Sequence, residues 1–122
     1  MTDPNLVILY VRDVSTALAF WSDLLGRPAV EQSPTFAMLP LRDGMMLGLW
    51  KVDGVAPAAT VTGGGTEIAV AVADGAAIDA IHTDWSVRGR VILQPPTDMD
   101  FGRTFTAADP DGHRVRVYAP SP

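Results

Sequence analysis

One order of elements runs through this chain twice. Leu6-Val7-Ile8-Leu9-Tyr10-Val11-Arg12-Asp13 returns 61 positions later as Glu67-Ile68-Ala69-Val70-Ala71-Val72-Ala73-Asp74. Thr35-Phe36-Ala37 returns as Thr104-Phe105-Thr106. Asp43-Gly44, with the six residues ending at Trp50, returns as Asp111-Gly112 with the six ending at Tyr118. A repeat of this length restricts the chain to folds built from two like units, because each copy must find the same local solution. It also makes each half a control for the other. A position that differs between the halves is a question about function.

Size limits how such units become stable. At 122 residues the chain is one folding unit, or two small halves sharing a core. Half of it alone buries too little surface, so the halves are expected to pack on each other or on a second chain. Hydrophobic residues make up 48% and charged residues 19%, the balance of a globular chain. The net charge is -5, and twelve of the fourteen acids are Asp. That balance argues against nucleic acid or an anionic membrane as partner. There is no cysteine, hence no disulfide, thiolate metal ligand or cysteine nucleophile. Met1-Thr2-Asp3-Pro4 lacks the basic and apolar regions of a signal peptide. No apolar stretch approaches the length of a membrane span. A cytoplasmic protein is expected.

Local patterns place the elements. Residues 6–11 read as a buried strand. Asp13 or Ser15 caps a helix whose stripe is Val14, Ala17, Leu18, Trp21, Leu24 and Leu25, and Gly26 ends it. A short extended segment follows near residues 29–31. Phe36–Leu41, the turn Arg42-Asp43-Gly44 and Met45–Trp50 form a hairpin. Residues 52–65, with Pro57 and three consecutive glycines, read as a linker without structure. The second half repeats the order. Residues 67–72 form a strand, and Ala77, Ile78, Ile81 and Trp85 stripe a helix stopped by Gly89. Residues 91–93 form a strand, 94–102 a Pro-rich loop, and 103–107 and 114–118 two strands. The turn Asp109-Pro110-Asp111-Gly112 joins that last pair. Residues 119–122 are tail. Trp21 and Trp85 belong to the core. His82 lies on a helix, and His113 is a polar residue flanking a turn.

Two β-α-β-β-β halves joined by a Gly-rich linker resemble the vicinal oxygen chelate superfamily, which includes glyoxalase I and the bleomycin-resistance proteins. The marks are the strand-Asp-helix opening of both halves, Phe101-Gly102, and Asp109-Pro110-Asp111-Gly112-His113. Ser33-Pro34-Thr35-Phe36-Ala37-Met38, Met46-Leu47-Gly48-Leu49-Trp50 and Leu93-Gln94-Pro95-Pro96 look most like the phenazine-antibiotic-resistance subgroup. The resemblance implies an α+β fold, with two βαβββ modules forming curved mixed sheets around a cup that holds ligand. Module one spans 5–50, the linker 51–66 and module two 67–119, within a single domain of residues 1–122. Many members of the superfamily are dimers, so a homodimer is expected.

Enzymes of that superfamily hold a divalent metal through the first and last strands of each half. Carried over one by one, those positions are Leu6, Gly48, Glu67 and Arg116. Leu and Gly have no ligating side chain, and Arg stays protonated with no lone pair to give. One carboxylate is short of the three or four ligands a stable site needs. The expectation is therefore no metal, no cofactor and no catalytic residue of that type. A Glu67–Arg116 ion pair is expected to take the place of the chelate, with a ligand carboxylate as a further partner for Arg116.

The metal-equivalent positions that the resemblance implies fix which face points inward, and strand alternation then assigns the rest. On the inward face lie Leu6, Ile8, Tyr10, Met46, Gly48, Trp50, Glu67, Ala69, Ala71, Arg114, Arg116 and Tyr118. The opposite set, from Val7 to Val117, is uniformly apolar and expected under the helices. Gly48, Ala69 and Ala71 leave room for a ligand. Trp50 and Tyr118, at matching positions, offer aromatic faces, with Tyr10, Phe36 and Phe101 beside them. Met38, Met46 and Met99 give an adaptable wall, and Arg103 or Arg116 meets a carboxylate. The leading reading is a non-catalytic protein that sequesters a small planar aromatic compound, an antibiotic being one such compound. The alternatives are a glyoxalase-type lyase or isomerase using Glu67 as base, and a structural dimer whose cup is vestigial.

Overall fold

A computed structural model describes residues 3–61 and 63–121. Met1 and Thr2 of the N-terminal reading, Thr62 within the linker and Pro122 of the tail lie outside the described residues. The chain divides between Gly63 and Gly64 into two compact units. Each is a four-stranded mixed sheet with one helix, the βαβββ arrangement that the repeat implied.

In the first unit, β1 (Leu6–Val11) leads into α1 (Val14–Leu25), followed by β2 (Glu31–Gln32), β3 (Phe36–Arg42) and β4 (Met45–Lys51). Asp13 is the N-cap of α1 and accepts the Thr16 amide at 2.9 Å. At the other end, Gly26 takes the left-handed conformation at φ 67 that a C-cap favours and most residues resist. The strand order is β1-β4-β3-β2, with β1 parallel to β4 and the hairpin antiparallel. Leu9, Val11, Leu39, Leu47 and Leu49 are buried on the face that meets Val14, Ala17, Leu18 and Trp21 of α1. The segment expected to lack structure after β4 opens with a 3-10 turn, Val52–Gly54.

The second unit repeats this with β5 (Glu67–Ala71), α2 (Gly75–Val87), β6 (Val91–Met99), β7 (Gly102–Ala108) and β8 (Arg114–Pro120), in the order β5-β8-β7-β6. Asp74 caps α2 by accepting the Ala77 amide at 2.9 Å. Under α2 the core is aromatic. Phe105 is fully buried, edge-on to Trp85 at 5.3 Å and to His82 at 5.5 Å. Asp109 closes the β7–β8 turn, its Oδ1 accepting the amides of Asp111 at 2.9 Å and His113 at 2.7 Å. That turn buries His113.

Four further sequence expectations change. The Pro-rich segment 94–99 is strand, because β6 is an edge whose other side needs no donors. Its register shifts around Gln94–Thr97, which is where Pro95 and Pro96 sit. Ala119 and Pro120 extend β8 and are not tail. Val70 stays 36% exposed, because α2 packs on β6, β7 and β8 and not over the far edge strand β5. Finally, the pairing of Phe36 with Phe105 across the repeat is one residue off. The ladders put Phe36 opposite Trp50 and Thr104 opposite Tyr118, so Phe36 corresponds to Thr104. A slip of one residue exchanges the faces of a strand. Phe105 therefore packs under α2, and Phe36 points away from α1.

This reassignment is measurable. Phe105→Ala should cost about 3–5 kcal/mol of unfolding free energy, the range for a fully buried ring. Phe36→Ala, at a half-buried position, should cost less than about 2 kcal/mol. Urea unfolding at unchanged m-value separates them, and equal costs would return Phe36 to the core.

Candidate functional site

On the first unit, the face turned away from α1 is apolar across β1, β3 and β4, with Glu31 of β2 at its edge opposite Met38. The ladders set it out in rows across β3, β4 and β1. Phe36, Trp50 and Tyr10 share one row, then Met38, Gly48 and Ile8, then Pro40, Met46 and Leu6. Trp50 and Tyr10 meet edge to face at 6.4 Å. Phe36 and Trp50 are half-buried, while Leu6 and Ile8 are 38% and 40% exposed. The expectation that Gly48 leaves an open space is overturned. A Cβ there would stand 3.1 Å from Phe36 Cζ, so the Phe36 ring already occupies that volume.

The same face of the second unit is polar. Its rows are Thr104–Tyr118–Ala71, Thr106–Arg116–Ala69 and Ala108–Arg114–Glu67. Arg116 holds the centre. Its Nε donates to Glu67 Oε1 at 2.7 Å and its Nη2 to Glu67 Oε2 at 2.8 Å, the bidentate pair that the sequence led one to expect. Its Nη1 donates to Gln94 Oε1 and to Thr104 Oγ1, each at 3.3 Å. Thr104 in turn donates to the Val117 carbonyl at 2.8 Å, and Gln94 reaches Met99 Sδ at 3.5 Å. Phe101 lies beside this network, edge-on to Tyr118 at 6.3 Å and 6.0 Å from the Arg116 guanidinium carbon. Ala69 and Ala71 remain exposed, so this part of the face is uncrowded.

Most sequence-derived candidates therefore assemble within their own units. Tyr10, Phe36, Met38, Met46, Gly48 and Trp50 gather in the first. Glu67, Met99, Phe101, Arg116 and Tyr118 gather in the second. Arg103 does not join them. It is an odd-numbered residue of β7 and emerges on the α2 side. There Asp79 accepts from its Nε at 3.0 Å and its Nη2 at 2.9 Å, and Asp98 from its Nη1 at 3.0 Å. A groove of about 470 Å³ at the start of α2 is lined by Arg103 and Asp98 together with Asp74, Gly75 and Pro120. Sequence reasoning missed Gln94, Thr104 and Thr106. The Pro-rich run concealed that Gln94 sits on a strand, and the one-residue slip hid the two threonines.

Hydrogen bonds from Arg116 lower the Glu67 pKa below its ordinary 4.5, with desolvation opposing and the charges of Arg116 and Arg114 assisting. Arg116 is correspondingly held in its charged form. The donor set does not fit a metal ion. Leu6 and Gly48 present no donor atom, Arg116 is a cation, and both oxygens of Glu67 are engaged. Among the described residues no three His, Cys, Asp or Glu form a group able to hold one. Titration calorimetry with zinc, nickel or manganese should give no stoichiometric heat, and one bound ion per chain would overturn this assignment.

The ion pair also sets a pH dependence. Glu67 ionises more readily folded than unfolded, so the unfolded state binds more protons in the acid range. Its stabilisation is present above pH 4.5 and is lost as pH falls through the lower folded value. Solvent screening keeps it small, because the Glu67 side chain is 32% and Arg116 20% exposed. Between pH 6 and pH 3, the urea midpoint of Glu67→Gln should fall less steeply than that of the wild type. Parallel slopes would show that the pair contributes nothing.

A family model described as Glyoxalase/Bleomycin resistance protein/Dioxygenase superfamily matches residues 4–117. The phenazine antibiotic resistance protein EhpR of Enterobacter agglomerans is 30% identical over 118 residues, covering 93% of this chain and 89% of that protein. The solution structure of protein ATC0852 from Agrobacterium tumefaciens is 48% identical, with all of both chains covered and a TM-score of 0.90. A glyoxalase/bleomycin resistance protein/dioxygenase from Nocardioides, 23% identical over 98% of this chain and 84% of its own, shares the fold with a TM-score of 0.83. Among the described residues no helix is long and apolar enough to cross a membrane.

Proposed function

We propose that this chain, which belongs to the Glyoxalase/Bleomycin resistance protein/Dioxygenase superfamily, sequesters a planar aromatic molecule without a metal ion, an antibiotic being one such molecule. The observation that carries this reading is the row Phe36–Trp50–Tyr10 on the first unit. Adjacent strands lie about 4.8 Å apart, so the row is about 10 Å wide. That is the breadth of a fused three-ring system. The rows beside it, from Met38 to Leu6, add apolar surface that a flat ligand would remove from water. The corresponding face of the second unit carries a different chemistry of its own, hydroxyls, an amide and the Glu67–Arg116 ion pair.

The superfamily's description spans glyoxalases and dioxygenases as well as resistance proteins. Site chemistry favours binding over turnover here. A general base works best with a pKa near the operating pH. Glu67 has been moved the other way, and both its oxygens accept from Arg116. The similarity to EhpR, a phenazine antibiotic resistance protein, supports the same reading.

Tryptophan emission gives a direct test. Trp21 is fully buried and Trp85 is 8% exposed, so a ligand on this face is reported mainly by Trp50. Titration with phenazine should quench emission with a micromolar dissociation constant. Calorimetry on Trp50→Ala should show affinity weakened by about tenfold, as expected for a lost aromatic contact of about 1.4 kcal/mol. No binding of phenazine or a related fused heterocycle below millimolar concentration would overturn the proposal.

A further inference from the structure

Gly48 and Arg116 occupy the same place in the two ladders, and so do Phe36 and Thr104. Bulk has been exchanged between neighbouring strands. In the second unit the long side chain rises from β8 and the short one from β7, and Arg116 Nη1 reaches Thr104 Oγ1 at 3.3 Å. In the first unit β4 carries nothing at that place and β3 carries a ring. Gly48 is not among the glycines with positive φ, so its backbone does not require glycine. A glycine inside a central strand weakens it, so its use here calls for a spatial reason.

The spatial reason is the Phe36 ring. A Cβ on Gly48 would lie 3.1 Å from Phe36 Cζ, 3.2 Å from Cε1 and 3.4 Å from Ile8 Cγ1. The ring reaches diagonally across the ladder and rests its far edge on bare backbone. A Cβ at 48 already requires the ring to give by a few tenths of an ångström, and a branched side chain such as valine would push it further, toward the space that a molecule lying on Trp50 has to use.

We infer that Gly48 and Phe36 together select ligand shape: Gly48 keeps the Phe36 ring down against β4, so the floor beside Trp50 accepts a flat fused aromatic and rejects a twisted one of similar size. This inference rests on the ligand class proposed above. Neither residue alone is sufficient, since the glycine matters only through the ring it seats.

The test is a specificity ratio measured by titration with two probes, phenazine and the propeller-shaped diphenylamine. The wild type should prefer phenazine by about tenfold. Gly48→Val should lose that preference, and Phe36→Leu, which keeps apolar volume but removes the ring, should lose it too. In the double variant the two losses should not add, because both act through one contact. Circular dichroism confirms which variants are folded, and Phe36→Leu keeps the question decidable if Gly48→Val is not. If the wild type binds both probes equally, or either folded variant keeps the preference, or the losses add, shape selection by this pair is wrong while the binding reading stands. If the wild type binds neither probe, the binding reading fails and this inference falls with it.

Discussion

Everything on the candidate faces follows from one constraint, the two-sided register of the last strand of each unit. β4 is held parallel to β1 on one side and antiparallel to β3 on the other, and β8 is held the same way by β5 and β7. A strand with ladders on both edges cannot slip without breaking both. Its alternation therefore fixes which side chains face the helix and which face away. That is why Trp50 and Tyr118 fall at the same place, and why Gly48 and Arg116 do.

Given that frame, the two units have diverged on one face and been preserved on the other. Beneath the helices the centre of both stays apolar and buried, since a polar group there would lose its hydration without a partner, and Arg103 at the α2 side has partners in Asp79 and Asp98. Away from the helices the first unit is aromatic and aliphatic across β1, β3 and β4. The second has become a satisfied polar network centred on Arg116. No buried side-chain nitrogen or oxygen among the described residues lacks a hydrogen-bond partner. On the polar face Glu67 and Arg116 satisfy each other, with Arg114 as a second cation in the adjoining row.

Strands and helices with strong periodicity were legible in the sequence almost to the residue, as β1, α1 and the β3–β4 hairpin show. β6 was legible only in part. Proline usually argues against a strand, and whether a strand is an edge is a property of the sheet. The Phe36–Phe105 match failed for a related reason. Identical residues attract an alignment, whereas the ladder counts positions and puts Thr104 opposite Tyr118. Arg103 was misplaced by face, since its partners Asp79 and Asp98 come from α2 and β6 and no local pattern joins them.

The sequence by itself determined the duplicated architecture, the capped helices, the mismatch between the metal positions and metal chemistry, and the pairing of Glu67 with Arg116. The first two depend on residue type and period, both of which are local, and the last two followed from the metal positions that the resemblance to the superfamily carried onto this chain. Only the tertiary structure decided that the place opened by Gly48 is filled by Phe36, and that Gln94 and Thr104 complete the coordination of Arg116. It also set Arg103 to serve the helix side. Each of those depends on which strands lie next to each other and in what register, and register is settled by hydrogen bonds between residues far apart in the chain.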